Sequence, residues 1–208
     1  MSRRRTPIAK ELPKGFANDT YRKACAEPFP WLVKAREMWR AADLVWAQFS
    51  FELTAFASGG DDSREPFTGS VAMMLYALAL ENLLKAGLAA KGVAVGPNGN
   101  FALKSHKLED LADGLALTLE PGERELMERL EHFLEWAGRY PIPLLAEALY
   151  PRAMLDGSKA AMYGLSSGDR ARVDALLTKV HATLPTEEEA LVRYVRTIGA
   201  PPPLSGQP

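Results

Sequence analysis

The chain has 208 residues, 47% of them apolar and 25% charged, with a formal net charge of −1. That is the profile of a folded globular protein with enough length for a sizeable core, and it excludes a global field that would draw the chain onto nucleic acid or a membrane. Cys25 is the only cysteine, which excludes an internal disulfide and a multi-thiolate zinc site and points to a reducing cytoplasm.

Residues 1–18 read as a disordered arm with Arg3-Arg4-Arg5 at its start, and no apolar run follows to make a secretory signal. Asp19 is positioned to cap a short helix over residues 19–26, which Pro28 and Pro30 end. Trp31–Ala57 holds neither glycine nor proline. Its apolar residues recur at steps of one, three or four, which predicts a long amphipathic helix with Trp39 and Trp46 on one face. Gly59-Gly60 stop it, and Asp61–Pro66 is a polar loop.

Val71–Ala90 is the stretch around which the chain is organised. Ten apolar residues run unbroken from Val71 to Leu80 before Glu81, Asn82 and Lys85 interrupt them. A helix apolar on nearly every side belongs at the centre of a bundle. Ten residues are too few to span a bilayer, and the two charges argue for a buried helix instead. A carboxylate and an ammonium in such a helix are costly unless paired or used. Glu81 and Lys85, at i and i+4, can pair on one face.

Gly92–Lys104 reads as a loop or a small hairpin around Asn98-Gly99. Ser105 is expected to cap the next helix, placing His106 in its first turn, with Leu108, Leu111, Ala112 and Leu115 inward. Pro121 opens a fourth helix with Leu126, Leu130, Phe133, Leu134 and Ala137 as its buried stripe. Glu123, Arg124, Glu128, Arg129, Glu131 and Glu135 then form a solvated face. Gly138 and Pro141 close it, and a helical piece is expected at Leu144–Leu149. Asp169 caps a fifth helix with Val173, Leu176, Leu177, Val180 and Leu184 inward. Thr186 and Glu189 form a capping box for a sixth, with Leu191, Tyr194, Val195 and Ile198 inward. Residues 200–208 are a tail. The fold class is all-α, with a single helical domain over 19–199.

Between Glu81 and Glu109 there is no acidic residue, while Lys85, Lys91, Lys104, His106 and Lys107 fall in that interval. Such a basic segment suits an anionic ligand or a nucleic-acid backbone. Arg139 and Tyr140 end the fourth helix, where a guanidinium meets the last carbonyls or reaches a phosphate. Zincin, nucleophile-elbow, dinucleotide and phosphate-loop signatures are missing, so no metal or cofactor is expected.

Three segments in order carry a resemblance: Ala79-Leu80-Glu81-Asn82-Leu83-Leu84-Lys85, Ser105-His106-Lys107-Leu108-Glu109-Asp110-Leu111, and Trp136-Ala137-Gly138-Arg139-Tyr140-Pro141. Together they resemble HEPN-domain proteins over about residues 31–184. The resemblance implies an up-and-down bundle of four to five main helices, often a homodimer. It also implies an association with RNA or nucleotides in toxin–antitoxin or phage-defence systems, sometimes beside a nucleotidyltransferase-like antitoxin. Active family members are metal-independent ribonucleases in which four to six residues separate an arginine from the histidine that follows it. None of His106, His132 and His181 has an arginine at that spacing, so the nuclease motif does not carry over. The resemblance therefore implies a binding module, with Glu81, Lys85, Lys104, Lys107 and Tyr140 as ligand contacts. An atypical ribonuclease using His106 and Arg139 is the first alternative, and a purely structural or regulatory dimer the second.

Overall fold

The computed structural model describes residues 14–59, 68–96, 102–139, 146–155, 157–161, 164–166 and 168–198. Seven α-helices run in order: α1 (Lys14–Ala26), α2 (Pro28–Ala57), α3 (Thr68–Ala90), α4 (Leu108–Gly114), α5 (Pro121–His132), α6 (Asp169–His181) and α7 (Glu187–Ile198). A π-helical turn, Phe133–Ala137, extends α5, and a 3-10 turn covers Ala146–Leu149. One antiparallel ladder of two-residue strands, β1 (Arg152–Ala153) and β2 (Lys159–Ala160), precedes α6. The all-α class is as expected. The ladder was not foreseen, because two residues per strand leave no alternation to read.

The α3 helix is the hub. It packs along α2 and also touches α1, α4, α5 with its π turn, and α6. Fifteen of its 23 residues are buried, so little of its surface is left for solvent. By length and composition α3 could also cross a membrane, but 72% of the qualifying window lies inside the protein, as a core helix requires. Small residues make the crowding possible: Ala72, Ala77, Ala79, Ala86 and Ala89 are fully buried and let neighbouring helices approach. Gly92, at φ +78°, turns the chain out of the helix, and the Val93 N–H bonds back to the Leu88 carbonyl.

Helix α1 begins five residues earlier than expected. Pro28 does not simply end α1. After the single residue Glu27 it sits in the first turn of α2, where its missing N–H costs nothing. Helices α3 and α6 follow their predicted faces. The capping box of α7 is present, with the Thr186 N–H on Glu189 Oε2 at 2.9 Å and the Glu189 N–H on Thr186 Oγ1 at 3.2 Å.

The buried side of α7 differs from expectation. Ala190 is buried and Tyr194, Thr197 and Ile198 are half-buried, while Leu191 and Val195 are exposed. The helix is turned so that Arg193 Nε and Thr197 Oγ1 both reach the buried carboxylate of Glu27, each at 2.8 Å. A carboxylate 4% exposed needs those partners more than Val195 needs burial. Of the arm expected over residues 1–18, residues 14–18 are helical and 1–13 lie outside the described residues, as do the polar loop 61–66, the turn 97–100, the tail 200–208 and Tyr140.

Candidate functional site

The charges in the middle of α3 are paired. Lys85 Nζ donates to Glu81 Oε1 at 2.6 Å, and both side chains are almost fully buried. Trp31 lies against the ammonium, its ring centre 5.8 Å from Nζ. The second partner of Glu81 comes from the loop before α4. His106 Nδ1 stands 3.1 Å from each oxygen of the Glu81 carboxylate. The His106 side chain is 74% exposed, whereas that of Glu81 is 7% exposed. A carboxylate bonded to Nδ1 selects the tautomer with its proton there. That leaves Nε2 as the ring atom available to accept a proton or a hydrogen bond from a ligand.

The backbone that presents His106 departs from expectation. Helix α4 begins at Leu108, so His106 lies two residues outside it rather than in its first turn. Ser105 does not cap the helix; its Oγ accepts the Lys107 N–H at 3.1 Å and fixes the loop. The helix start is capped from outside by Glu131, whose Oε1 accepts the N–H groups of Leu108 at 2.6 Å and Glu109 at 3.3 Å. A carboxylate can cap a helix from another element as well as from its own N-cap residue. No local spacing could have signalled this, since Glu131 reads as part of a solvated α5 face.

Two lysines of the basic segment are engaged by residues distant in sequence. Lys107 Nζ pairs with Glu135 at 2.8 Å and Glu131 at 3.3 Å. The Glu135 hydrogen bond, followed by Glu131, holds the Lys107 ammonium above its ordinary value against a burial penalty. Lys91 Nζ donates to the Leu115 carbonyl at 2.6 Å. With Lys85 committed to Glu81, Lys104 is the lysine of the predicted set that stands exposed with no side-chain bond among the described residues. Lys85 and Lys107, both expected as ligand contacts, thus each carry a carboxylate partner within the protein.

Arg139 donates from Nη2 to the Glu135 carbonyl at 2.8 Å, one role expected for an arginine at a helix end. It follows the π turn, in which the Gly138 N–H bonds five residues back to Phe133 at 3.2 Å. Gly138 is required there. A Cβ at this position would overlap Met74 Cβ, with Met74 Cγ only 2.9 Å away, so the end of α5 rests directly on α3. Of the predicted residues, then, the fold gathers Glu81, Lys85 and His106.

A second buried pair was missed. Arg129, read as a solvated residue of α5, is 5% exposed. Its Nη1 and Nη2 meet Asp169 Oδ1 and Oδ2 at 2.8 Å each, and Nη2 also donates to the Gly164 carbonyl. Asp169 accepts the Ser166 N–H at 2.8 Å as well. Burial pushes the Asp169 carboxyl up, but the Arg129 bonds and the Ser166 N–H outweigh it and leave the group below its ordinary value. Arg129 lies between Met127 and Leu130 at the edge of the buried stripe, the one sequence signal that it faces the core.

Among the described residues no three His, Cys, Asp or Glu side chains come together to hold a metal ion. Compared with protein-family models, with curated proteins and with solved structures, the chain matches none of them.

Proposed function

We propose that this chain is a HEPN-like helical module that binds RNA or a nucleotide through the Glu81–His106 pair. One observation carries the reading: an exposed imidazole is held at Nδ1 by a buried carboxylate that Lys85 in turn anchors. A surface histidine with no ligand to meet has no need of a buried orienting acid. The fixed ring offers Nε2 to a ribose hydroxyl or a protonated phosphate oxygen, and Lys104 supplies an exposed charge in the same loop. Because Lys85 and Lys107 already have carboxylate partners, few phosphates are neutralised. Binding should therefore weaken only gently with salt, with a slope of about one or two released counterions.

Fluorescence anisotropy with short single-stranded RNA and with mononucleotides tests this. Wild type binds at low salt and His106→Ala does not; absence of wild-type binding at low salt overturns the proposal.

The oriented imidazole also favours a second reading, an atypical metal-independent ribonuclease. His106 Nε2 would move the proton of the attacking 2′-hydroxyl, and Arg139 would stabilise the charge developing on phosphorus. Incubating labelled RNA with the protein in EDTA separates the two readings. Cleavage abolished by both His106→Ala and Arg139→Ala supports the nuclease, and intact RNA that is nevertheless bound supports the module. The implied partners, a second copy of the chain and a nucleotidyltransferase-like protein, are accessible to sedimentation and to co-purification.

A further inference from the structure

Leu83 lies two residues beyond Glu81 and so about 200° round α3, facing a different part of the molecule. There a cavity of about 280 Å³ opens where α2 meets the end of α6 and the start of α7. Leu32 and Leu83, each 2% exposed, form its floor. Trp39 makes a half-buried wall, and Arg40 and His181 stand exposed at the rim. Its α2 residues recur at helical spacing, so one face of that helix builds most of the site.

Two carboxylates border the cavity, and both are engaged. Asp43 accepts the Tyr76 hydroxyl at 2.8 Å and the Arg170 guanidinium at 2.6 Å, while Glu187 is paired with Arg36. Among the described residues, the side chains of Arg40 and His181 make no hydrogen bond or ion pair, and no other ring stacks on Trp39. An apolar floor, one open aromatic wall and two uncommitted nitrogen donors on one rim are complementary to a single kind of molecule.

We infer that this groove binds a small planar aromatic anion, with its ring against Trp39 and its carboxylate or phosphate between Arg40 and His181. The guanidinium fork fits either anion with two parallel bonds, and an imidazole N–H adds a third. The volume is at the small end for ligand pockets and suits one ring system rather than a run of nucleotides. This site is separate from Glu81 and His106 and does not depend on the function proposed for them.

Isothermal titration calorimetry with 1-naphthylacetate and with 1-naphthyl phosphate tests it, using 1-naphthol as their uncharged counterpart. At least one anionic probe should bind one per chain, more tightly than its counterpart. Arg40→Ala should weaken that binding about 10-fold or more, since it removes a charged hydrogen-bonding partner. Trp39→Ala should weaken it similarly through lost stacking. Trp39 also packs against the core, so exposed Arg40 is the deciding position. His106→Ala should leave the affinity unchanged, which keeps this outcome distinct from the RNA experiment. Binding of one anion alone identifies the headgroup. Saturation by neither probe at millimolar concentration, or equal affinity in Arg40→Ala and wild type, overturns the inference.

Discussion

Among the described residues two ion pairs have both partners buried, and they are finished differently. At Arg129–Asp169 the carboxylate is fully buried and receives both arms of a guanidinium and a backbone N–H. At Glu81–Lys85 the carboxylate shares its remaining acceptor capacity with an imidazole that lies mostly in water. The first pair ties α5 to the start of α6, and every polar partner of its carboxylate is part of the fold. The second ends at the surface, so whatever binds His106 also feels the buried charges behind it. A closed pair accounts for itself as structure; an open one leaves a group placed for use.

The largest expected effect comes from breaking the closed pair. Arg129→Met leaves Asp169 charged and buried and should cost about 3–5 kcal/mol, read from urea unfolding. Asp169 titrates below its unfolded value, so its contribution is complete above pH about 4 and is lost as pH falls through the folded value. That acid limb should be missing in the variant. Glu81→Gln should cost about 2–4 kcal/mol, less because its outer side opens toward solvent, and it should also abolish ligand binding. Replacing both partners, Glu81→Leu with Lys85→Met, should restore most of the stability but none of the binding. Binding restored along with stability would mean that Glu81 serves structure alone, and the contrast between the pairs would collapse.

Gly138→Ala should cost about 1–3 kcal/mol, because Met74 Cβ is bonded directly to the α3 backbone and no rotamer moves it aside. His106→Ala should change stability by under about 0.5 kcal/mol, since the ring is exposed, while removing RNA binding. The smallest effect concerns His132, half-buried in α5, whose Nδ1 has no hydrogen-bond partner among the described residues. Burial, then the Arg152 charge, lowers its imidazole below the ordinary value against the pull of Glu135 and Glu128. The unfolded chain therefore takes up this proton first. Stability should fall as pH drops below about 6.5 and level off beneath the folded value. The urea midpoint of His132→Gln should lack that component.

Much of the fold could be read from pattern. Helix α6 buries its periodic stripe, α2 buries Ala35, Ala42 and Phe49 of its own while Leu53 and Phe56 stay exposed, and α3, apolar on nearly every side, is the buried centre. The Glu81–Lys85 pair also followed from its i, i+4 spacing. What could not be read depends on partners far apart in the chain. Arg129 looks like its charged neighbours until Asp169, forty residues on, is placed against it. In the basic stretch from Lys85 to Lys107, Lys107 is paired with Glu131 and Glu135, which approach only in three dimensions. The face of α7 was misjudged because apolar periodicity does not register the demand of a buried Glu27.

That last contact has a consequence for how the chain is made. The bond from Thr197 to Glu27 spans 170 residues. At a synthesis rate of about 5–20 residues per second, Glu27 waits roughly ten to thirty seconds before Arg193 and Thr197 exist. During that interval the junction of α1 and α2 holds a carboxylate without its final partners, so the corner should stay open to solvent. Docking of α7 is then a closing step, and the nascent bundle seals this corner only when α7 arrives.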